Sequence, residues 1–302
     1  MSLCGGKSPA RETWLKDGDR NSRFFHISAV VRRRNNSIDA IRGEDGIWIV
    51  NLSEIREYVA RNFKQLFTEE VISCPADLEN LIHPCISESE NAYLCLMPTP
   101  NEIKEAVFSM QSLKSPGPDG LPPLFYKKYW HIVGNAVIKA VQNFFTSGKI
   151  LKEMNSTFIV LIPQNQNPSV ISHYRPISLC NTSYKIISKL LVDRLRGVLP
   201  SLISPAQSAF IPGRWIAENQ LIVQEILYSF KIRKVQGGFV AMKLDLQKAY
   251  DRVNWGFLKT VLTRFGFDTK FIGWILECIS SVSYSILVNG GMTKQFKPSR
   301  GL

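Results

Sequence analysis

Residues 239–251 read Phe-Val-Ala-Met-Lys-Leu-Asp-Leu-Gln-Lys-Ala-Tyr-Asp, and no other stretch says as much about the architecture. Aliphatic side chains alternate with Lys243 and Asp245, which predicts a strand with one buried face. Asp245 stands at the carboxyl end of this strand, and the ring of Tyr250 follows. Because Mg²⁺ prefers hard oxygen ligands, this placement favours a metal-binding carboxylate with an aromatic wall beside a nucleotide sugar. The alternative is an Asp that caps the next segment, as Asp does in many turns.

Length and composition restrict the class of protein. The 302 residues give room for one large domain or two medium ones, and 45% hydrophobic residues suffice for a core. No apolar run is long enough for a transmembrane helix, and the N-terminus lacks the apolar segment of a secretory signal, so we expect no membrane partner. Six cysteines without a CxxC pair argue against zinc and favour free thiols in a reducing, intracellular compartment.

Basic residues are concentrated in the second part of the chain. Residues 1–64 hold 12 Lys and Arg against 8 Asp and Glu, and residues 65–110 hold 1 against 8. Residues 111–302 hold 24 against 9, a net charge of +15. A basic body of this size favours a polyanion such as nucleic acid, although an excess of surface lysine without function gives the same composition.

Periodicity and capping residues predict a mixed order of helices and strands. Thr99 and Glu102 form a capping box that begins one helix, with Pro100 in its first turn. Residues 14–36 contain both aromatic residues and arginines, and a helix that buries its Phe pair is preferred over a nucleic-acid-stacking segment. Residues 71–98 are interpreted as an acidic connector. The other predictions are a hairpin over 38–49, helices over 54–67, 184–199, about 215–233, 255–265 and 269–280, the last of them capped by Asp268, and strands over 158–162 and 284–288.

Three loops stand out between the predicted elements, and two of them carry residues that suit phosphate. The loop Lys114–Gly120 contains two Pro and two Gly, so it is stiff and serves either as a connector or as a backbone platform for phosphates. Arg175, in the sequence Tyr-Arg-Pro, suits bidentate contact with phosphate or pairing with a surface acid. Residues Gln207–Arg214 form a Gly- and Pro-marked loop before a long helix.

Five separate segments, in this order, resemble the successive blocks of a reverse transcriptase of the non-LTR (LINE-type) retrotransposons. Trp14-Leu-Lys-Asp-Gly-Asp with Phe24-Phe25-His26 resembles the stretch before that domain in plant-type elements, so the resemblance covers nearly the whole chain. The five segments are Lys114-Ser-Pro-Gly-Pro-Asp-Gly120, Leu161-Ile-Pro, Tyr174-Arg-Pro-Ile-Ser-Leu179, Gln207-Ser-Ala-Phe-Ile-Pro-Gly-Arg214 and Lys243-Leu-Asp-Leu-Gln-Lys-Ala-Tyr-Asp-Arg-Val253.

The resemblance implies an α+β fold, a right-hand polymerase with RNA template, DNA primer and dNTP as partners. Residues 1–98 are expected to be a helical linker, and residues 99–302 a partial domain with the fingers and the first part of the palm, the thumb being absent. Two Mg²⁺ ions would support phosphoryl transfer. By the matching motif, Asp245 is the expected catalytic carboxylate and metal ligand, with the Leu246 carbonyl as a second ligand.

The same resemblance implies roles for four other residues. Tyr250 would reject a nucleotide 2′-hydroxyl, and Arg175 would contact the triphosphate. Lys114 and Arg214 are the expected contacts to nucleic acid.

Two departures from the family pattern lead to further expectations. Residues 1–302 contain no Tyr-x-Asp-Asp, which carries the family's other catalytic carboxylates, and Gln164 stands where the family usually has a phosphate-contacting Lys. We therefore expect a truncated, inactive piece of a reverse transcriptase, nuclear if its element is active. A non-enzymatic nucleic-acid-binding remnant is the alternative. An incomplete palm is also expected to leave helices 255–265 and 269–280 without partners for their apolar faces.

Overall fold

The structure is a computed structural model of the 302-residue chain, and it describes residues 23–69, 81–233 and 237–302. It has the mixed α+β composition that the sequence predicts. The helices in the described residues are α1 (Arg23–Asn35), α2 (Leu52–Leu66), α3 (Glu88–Leu94), α4 (Pro100–Ser109), α5 (Pro123–Lys128), α6 (Trp130–Ser147), α7 (Thr182–Leu195), α8 (Leu199–Leu202), α9 (Ile216–Ile232), α10 (Trp255–Phe265) and α11 (Thr269–Ser280).

The strands of these residues form two sheets. The strands are β1 (Ile41–Arg42), β2 (Trp48–Ile49), β3 (Ser156–Pro163), β4 (Tyr174–Cys180), β5 (Ser283–Val288) and β6 (Gly291–Met292). β1 pairs antiparallel with β2, as the predicted hairpin requires. The other sheet has the order β4-β3-β5-β6, so β5 lies beside β3 although α7 to α11 separate them in sequence.

The described residues of Met1–Asn62, together with Ile159–Ser178 and Ser285–Gln295, form one compact unit. A side-chain clasp joins distant parts of it, because Asn289 accepts a hydrogen bond from the Ile38 N–H and donates one to the Ile38 carbonyl, each 2.9 Å long. Residues well before position 99 are therefore built into the same unit as the middle of the sheet. The predicted domain boundary between residues 98 and 99 stays a prediction.

The second unit comprises the described residues of Phe63–Phe158, Leu179–Tyr284 and Phe296–Leu302. Its core is helical. α4, α6, α7 and α11 contribute the largest buried side chains, and Phe145 and Trp274 meet edge to face with ring centroids 4.7 Å apart. Burial of aromatic side chains of this size supplies much of the free energy that stabilises a helical core.

Local sequence signals account for the helix starts in this unit. The Thr99 hydroxyl accepts a hydrogen bond from the Glu102 N–H, and the Glu102 carboxylate accepts one from the Thr99 N–H, which confirms the predicted capping box. Asp268 caps α11 as predicted, by accepting a hydrogen bond from the Lys270 N–H at 2.7 Å. A second capping box, at Ser87 and Glu90, begins α3 inside the stretch that was interpreted as a connector.

The predicted strand over residues 239–246 is wrong for this structure. Residues 238–246 adopt neither helix nor strand, and the alternating aliphatic side chains are exposed, with Val240 at 89% and Leu244 at 81%. A strand needs hydrogen-bonding neighbours, and no strand among the described residues pairs with this segment. Alternation of side chains therefore indicated a capacity to form a strand, which this structure leaves unused.

Two further expectations have definite outcomes. α11 does not lack partners, because Phe271 and Trp274 are buried, so the expectation of an uncovered apolar face was wrong for this helix. α10 buries no residue fully, but Leu262 and Phe265 pack against the helical core, so the expectation was wrong for this helix as well. No helix within the described ranges is both long and apolar enough to cross a membrane.

The N-terminal predictions are only partly covered by the structure. Residues 23–35 form the expected helix, and Arg32 to Arg34 are exposed on it. The segment Trp14–Asp19 and the side chains of Phe24 and Phe25 lie outside the described residues.

Candidate nucleic-acid interface

Asp245 and Leu246 lie in the exposed segment that precedes the turn at Tyr250. The Asp245 side chain is exposed, and so is 80% of the Leu246 residue. The described residues contain no group of three or more His, Cys, Asp or Glu placed to hold a metal ion. A magnesium site for two-metal chemistry needs several oxygen ligands, so the carboxylate of Asp245 supplies only part of such a donor set.

Tyr250 is held at its backbone while its ring remains 62% exposed. Its carbonyl accepts a hydrogen bond from the Leu302 N–H at 3.1 Å, and the Val253 carbonyl accepts one from the Gly301 N–H at 2.8 Å. The indole N–H of Trp255 donates to the Gly301 carbonyl at 2.7 Å. Gly301 has φ of +91°, and a Cβ there would come within 2.8 Å of the Asp251 carbonyl oxygen, so this close approach requires glycine. The turn that carries the Tyr250 ring is thus fixed by the last residues of the chain.

Lys248 and Asp251, on either side of Tyr250, are half-buried charges. Burial lowers the pKa of Lys248, although the nearby Asp251 opposes this. Burial likewise raises the pKa of Asp251 against the opposing effect of Lys248. Both shifts favour the neutral forms, so the loss of hydration outweighs the attraction between the two groups. The Lys248 ammonium lies 5.7 Å from the centroid of the Phe63 ring, which offers a weak cation–π contact.

The Pro- and Gly-rich loop Lys114–Gly120 is anchored by one buried side chain. Asn181, 3% exposed, accepts a hydrogen bond from the Asp119 N–H at 3.1 Å and donates one to the Glu153 carbonyl at 2.9 Å. Gly117 packs so closely on Asn181 that an added Cβ would overlap its amide oxygen and backbone nitrogen. The loop is therefore held in one shape, as a platform for phosphates requires.

Lys114 is exposed at the start of this loop, and the structure brings a second ammonium group close to it. Lys185, in the first turns of α7, donates a hydrogen bond to the Ser115 carbonyl at 3.2 Å. Burial lowers the pKa of Lys185, and the positive charge of Lys114 lowers it further. Sequence reasoning treated residues 184–199 only as a helix and missed Lys185. The available signal was a lysine directly after Tyr184 on the polar side of that helix.

Arg214 is occupied by the backbone of its own loop. Its guanidinium donates to the carbonyls of Ser204 and Gln207, at 2.6 Å each, and of Ile203 at 2.9 Å. These bonds close the Gln207–Arg214 loop onto the end of α8. The hydrogen bonds give Arg214 a structural role in holding this loop. Its predicted contact with nucleic acid stays a prediction.

Arg175 and Gln164 belong to the unit that contains the sheet. Arg175 lies on β4 with an exposed side chain, and Gln164 directly follows β3, where its N–H donates to the His173 carbonyl at 2.8 Å. The neighbouring Tyr174 is buried, so the backbone that carries Arg175 is anchored while its guanidinium faces solvent. This placement suits recognition of an anion.

Comparison with known proteins accounts for this combination of blocks. Residues 162–302 match the family described as reverse transcriptase (RNA-dependent DNA polymerase). Over 295 residues the chain is 29% identical to the "Transposon TX1 uncharacterized 149 kDa protein" of Xenopus laevis. This alignment covers 97% of the chain and 22% of the relative. The family match and the relatives support a LINE-type reverse transcriptase domain over residues 162–302.

Two further relatives are Pol polyproteins of type-1 retrotransposable elements. The chain is 24% identical over 143 residues to that of element R2 of Popillia japonica, and this covers 47% of the chain and 20% of the relative. It is 23% identical over 158 residues to that of element R1 of Bradysia coprophila, which covers 51% of the chain and 15% of the relative. The chain thus spans about a fifth or less of the length of each of these three relatives.

Proposed function

We propose that this chain is part of an enzyme that adds dNTPs to a primer on an RNA template. The block Lys243–Val253 carries the proposal, because it places a carboxylate two residues before a Gln-Lys-Ala-Tyr-Asp turn inside the matched range 162–302. The exposure of both Asp245 and Tyr250 is compatible with a nucleotide that binds from the solvent side.

The proposed roles follow the chemistry of each residue. Asp245 supplies one carboxylate ligand and Leu246 a carbonyl ligand for Mg²⁺, which when bound would stabilise charge on the triphosphate and the attacking oxygen. Tyr250 contacts the nucleotide sugar and excludes a 2′-hydroxyl by its bulk. Arg175 pairs with triphosphate oxygens. Lys114 contacts the nucleic-acid backbone, and Arg214 shapes the neighbouring loop for the same partner.

The polypeptide of residues 1–302 is proposed to bind nucleic acid without extending a primer. Two-metal transfer needs carboxylates that Asp245 alone does not provide, and the sequence 1–302 contains no Tyr-x-Asp-Asp. With a primed RNA template, dNTPs and Mg²⁺ or Mn²⁺, we expect no extension above background. Template-dependent synthesis that disappears in Asp245→Ala would overturn this proposal of inactivity.

A chimera tests the residue roles. If the segment that follows the matched region in the Xenopus laevis relative is fused after Leu302, we expect polymerisation. Asp245→Asn should then lower the rate by at least about 100-fold, because it removes a charge that acts in the transition state. Tyr250→Val should keep DNA synthesis and admit ribonucleotides, since only the steric barrier is lost.

Two further substitutions in the chimera concern the triphosphate. Arg175→Ala should weaken dNTP use, and Gln164→Lys should improve it if a charge is useful there. Equal, modest losses in Asp245→Asn, Tyr250→Val and Arg175→Ala would mean that the three residues are structural. That result would contradict the proposed roles.

A nucleic-acid-binding protein without catalysis is the second candidate. The net charge of +15 in residues 111–302 favours it as strongly as it favours a polymerase. The chimera separates the two candidates, because a binding protein gains no synthesis from the added segments. Salt-dependent binding of RNA by residues 1–302 is expected for both.

A further inference from the structure

Two lysines that lie far apart in sequence meet at the loop Lys114–Gly120. Lys185 reaches from α7 to the Ser115 carbonyl, one residue after Lys114, and it lies close enough to Lys114 for the two positive charges to repel each other. Among the described residues, no carboxylate lies within 4.0 Å of either ammonium group, the distance that defines the ion pairs of this chain. Two neighbouring positive charges without a paired acid are unfavourable unless an anion binds between them.

The nearest acid does not neutralise this pair. Asp119 lies on the same loop, but its carboxylate accepts a hydrogen bond from the Leu121 N–H at 3.0 Å and stays beyond ion-pair distance of both lysines. Cys180 is the other titratable group near Lys185. Cys180 and Asp119 each raise the pKa of Lys185 while Lys114 lowers it, so these acids act on the Lys185 ammonium without forming an ion pair with it.

The loop between the lysines is built to keep its shape. Gly117 is buried against Asn181, and the Asn181 side chain binds both the loop and the turn before β3. Lys185 is half-buried and tied to the loop by its own hydrogen bond. Because these groups are ordered before any ligand arrives, less conformational entropy is lost when an anion binds.

We propose that Lys114 and Lys185 together bind one phosphate of a nucleic-acid backbone at the edge of the loop Lys114–Gly120. Lys185 is thereby a binding residue in addition to those predicted from the sequence. The proposal rests on the proposed function in one respect, that nucleic acid is the partner of this basic unit. The ligand class is a phosphodiester, since two ammonium groups contact phosphate as point charges and carry no information about bases.

The first experiment measures the affinity of residues 1–302 for a fluorescent single-stranded RNA by anisotropy at low salt. Lys185→Gln and Lys114→Gln should each weaken binding about three- to tenfold, because each removes a phosphate contact. Lys139→Gln is the matched control, since it removes one exposed lysine from α6 in the same unit. It should change affinity less than about twofold if its charge acts only at long range.

A conservative variant separates binding from folding. Lys185→Arg keeps the positive charge, so it should retain the affinity for RNA within about twofold. If Lys185 acted only through its hydrogen bond to the Ser115 carbonyl, Lys185→Arg would weaken binding as much as Lys185→Gln. All variants should unfold at the same urea concentration. Equal loss of affinity in Lys185→Gln and Lys185→Arg would overturn the proposal.

A salt series tests whether the two lysines share a single phosphate. The slope of log K against log salt should fall by about 0.7 in the double variant, the value for one contact on a single strand. A fall of about 1.4 would indicate two separate phosphates and would overturn the shared site. If unsubstituted protein binds no RNA at low salt, the proposed function fails. If it binds and Lys185→Gln has no effect, only the Lys185 site fails.

Discussion

α11 and α9 are both apolar helices of the same unit, but they differ in how far their side chains are buried. α11 buries Phe271, Ile272, Trp274 and Cys278 in the helical core. α9 buries no residue, and its Leu221, Ile222 and Val223 are each 53% exposed. The difference shows that apolar composition gives a helix the capacity for burial, while a neighbour with a matching surface determines whether burial occurs.

The two helices differ in what surrounds them. Trp274 meets Phe144, Phe145 and Phe271, with ring centroids between 4.7 and 6.4 Å away. Next to the end of α9, Phe230 stacks on Phe239 at 4.5 Å, but the segment 239–246 that follows is exposed as well. α9 and residues 239–246, which we call the open region, thus hold many of the exposed apolar side chains among the described residues. A large exposed apolar surface on a folded domain often marks an interaction site.

The strongest test of this comparison removes one tryptophan from α11 and one from the position directly before α9. Trp274→Ala should lower the free energy of unfolding by about 3–5 kcal/mol, because it leaves a large cavity among aromatic rings. Trp215, the residue before α9, is 64% exposed, so Trp215→Ala should change stability by less than about 0.5 kcal/mol. Urea unfolding followed by circular dichroism measures both. Similar losses in the two variants would mean that the open region is buried in solution.

Local signals in the sequence correctly predicted several helices and strands of the packed part of the molecule. The capping box at Thr99, the Asp268 cap and the alternation over 284–288 each require only residues close in sequence, and all three match the structure. α3 was missed because its capping box at Ser87 lies in an acidic stretch that was interpreted as a connector. Such signals act over one helical turn, so they report local structure reliably.

Signals that depend on distant partners were less successful. The segment 239–246 has a strand pattern, but pairing depends on another strand, and none of the described strands pairs with it. The same limit applies to the candidate site. Motifs identified Lys114, whereas Lys185 joins it only because α7 folds back onto the loop, a contact across 70 residues. The clasp of Asn289 on Ile38 is likewise invisible in sequence.

A second prediction uses the buried thiol of α11. Burial raises the pKa of Cys278 from 9.0 to about 12. The folded chain therefore keeps this proton at a pH where the unfolded chain has lost it, so the stability that it gives is full below pH 9 and falls as the pH rises towards 12. In that interval the free energy of unfolding should fall by about 1.4 kcal/mol per pH unit.

The measurement is a series of urea unfolding curves between about pH 8 and pH 10.5, where the loss of stability caused by the thiol should first be absent and then grow. Cys278→Ala should lower stability at all pH values through its cavity, but its stability should fall less steeply above pH 9 than that of the unsubstituted chain. Identical alkaline slopes in the two proteins would show that the thiol is hydrated, and α11 would then be less firmly packed than its burial indicates.

The smallest expected effect comes from the open region itself. Leu244 is 81% exposed, so Leu244→Gln should change the free energy of unfolding by less than about 0.5 kcal/mol and should reduce self-association of the chain. Leu190, 1% exposed on α7, is the matched control, and Leu190→Gln should cost at least about 3 kcal/mol because it buries an amide without partners. Urea unfolding and sedimentation velocity measure the two properties.

Leu244→Gln has the more instructive outcome because two explanations of the strand pattern disagree about it. If residues 239–246 are exposed in solution, their backbone amides should exchange with deuterium quickly and the substitution should be neutral. If they pair with another copy of the chain, exchange should slow as protein concentration rises, and Leu244→Gln should abolish that dependence. A loss of about 2 kcal/mol or more at low concentration fits neither case, because it requires Leu244 to be buried within one molecule. That result would support the strand that the alternating sequence predicts over residues 239–246. The open region would then be buried like α11, and the contrast between the two would disappear.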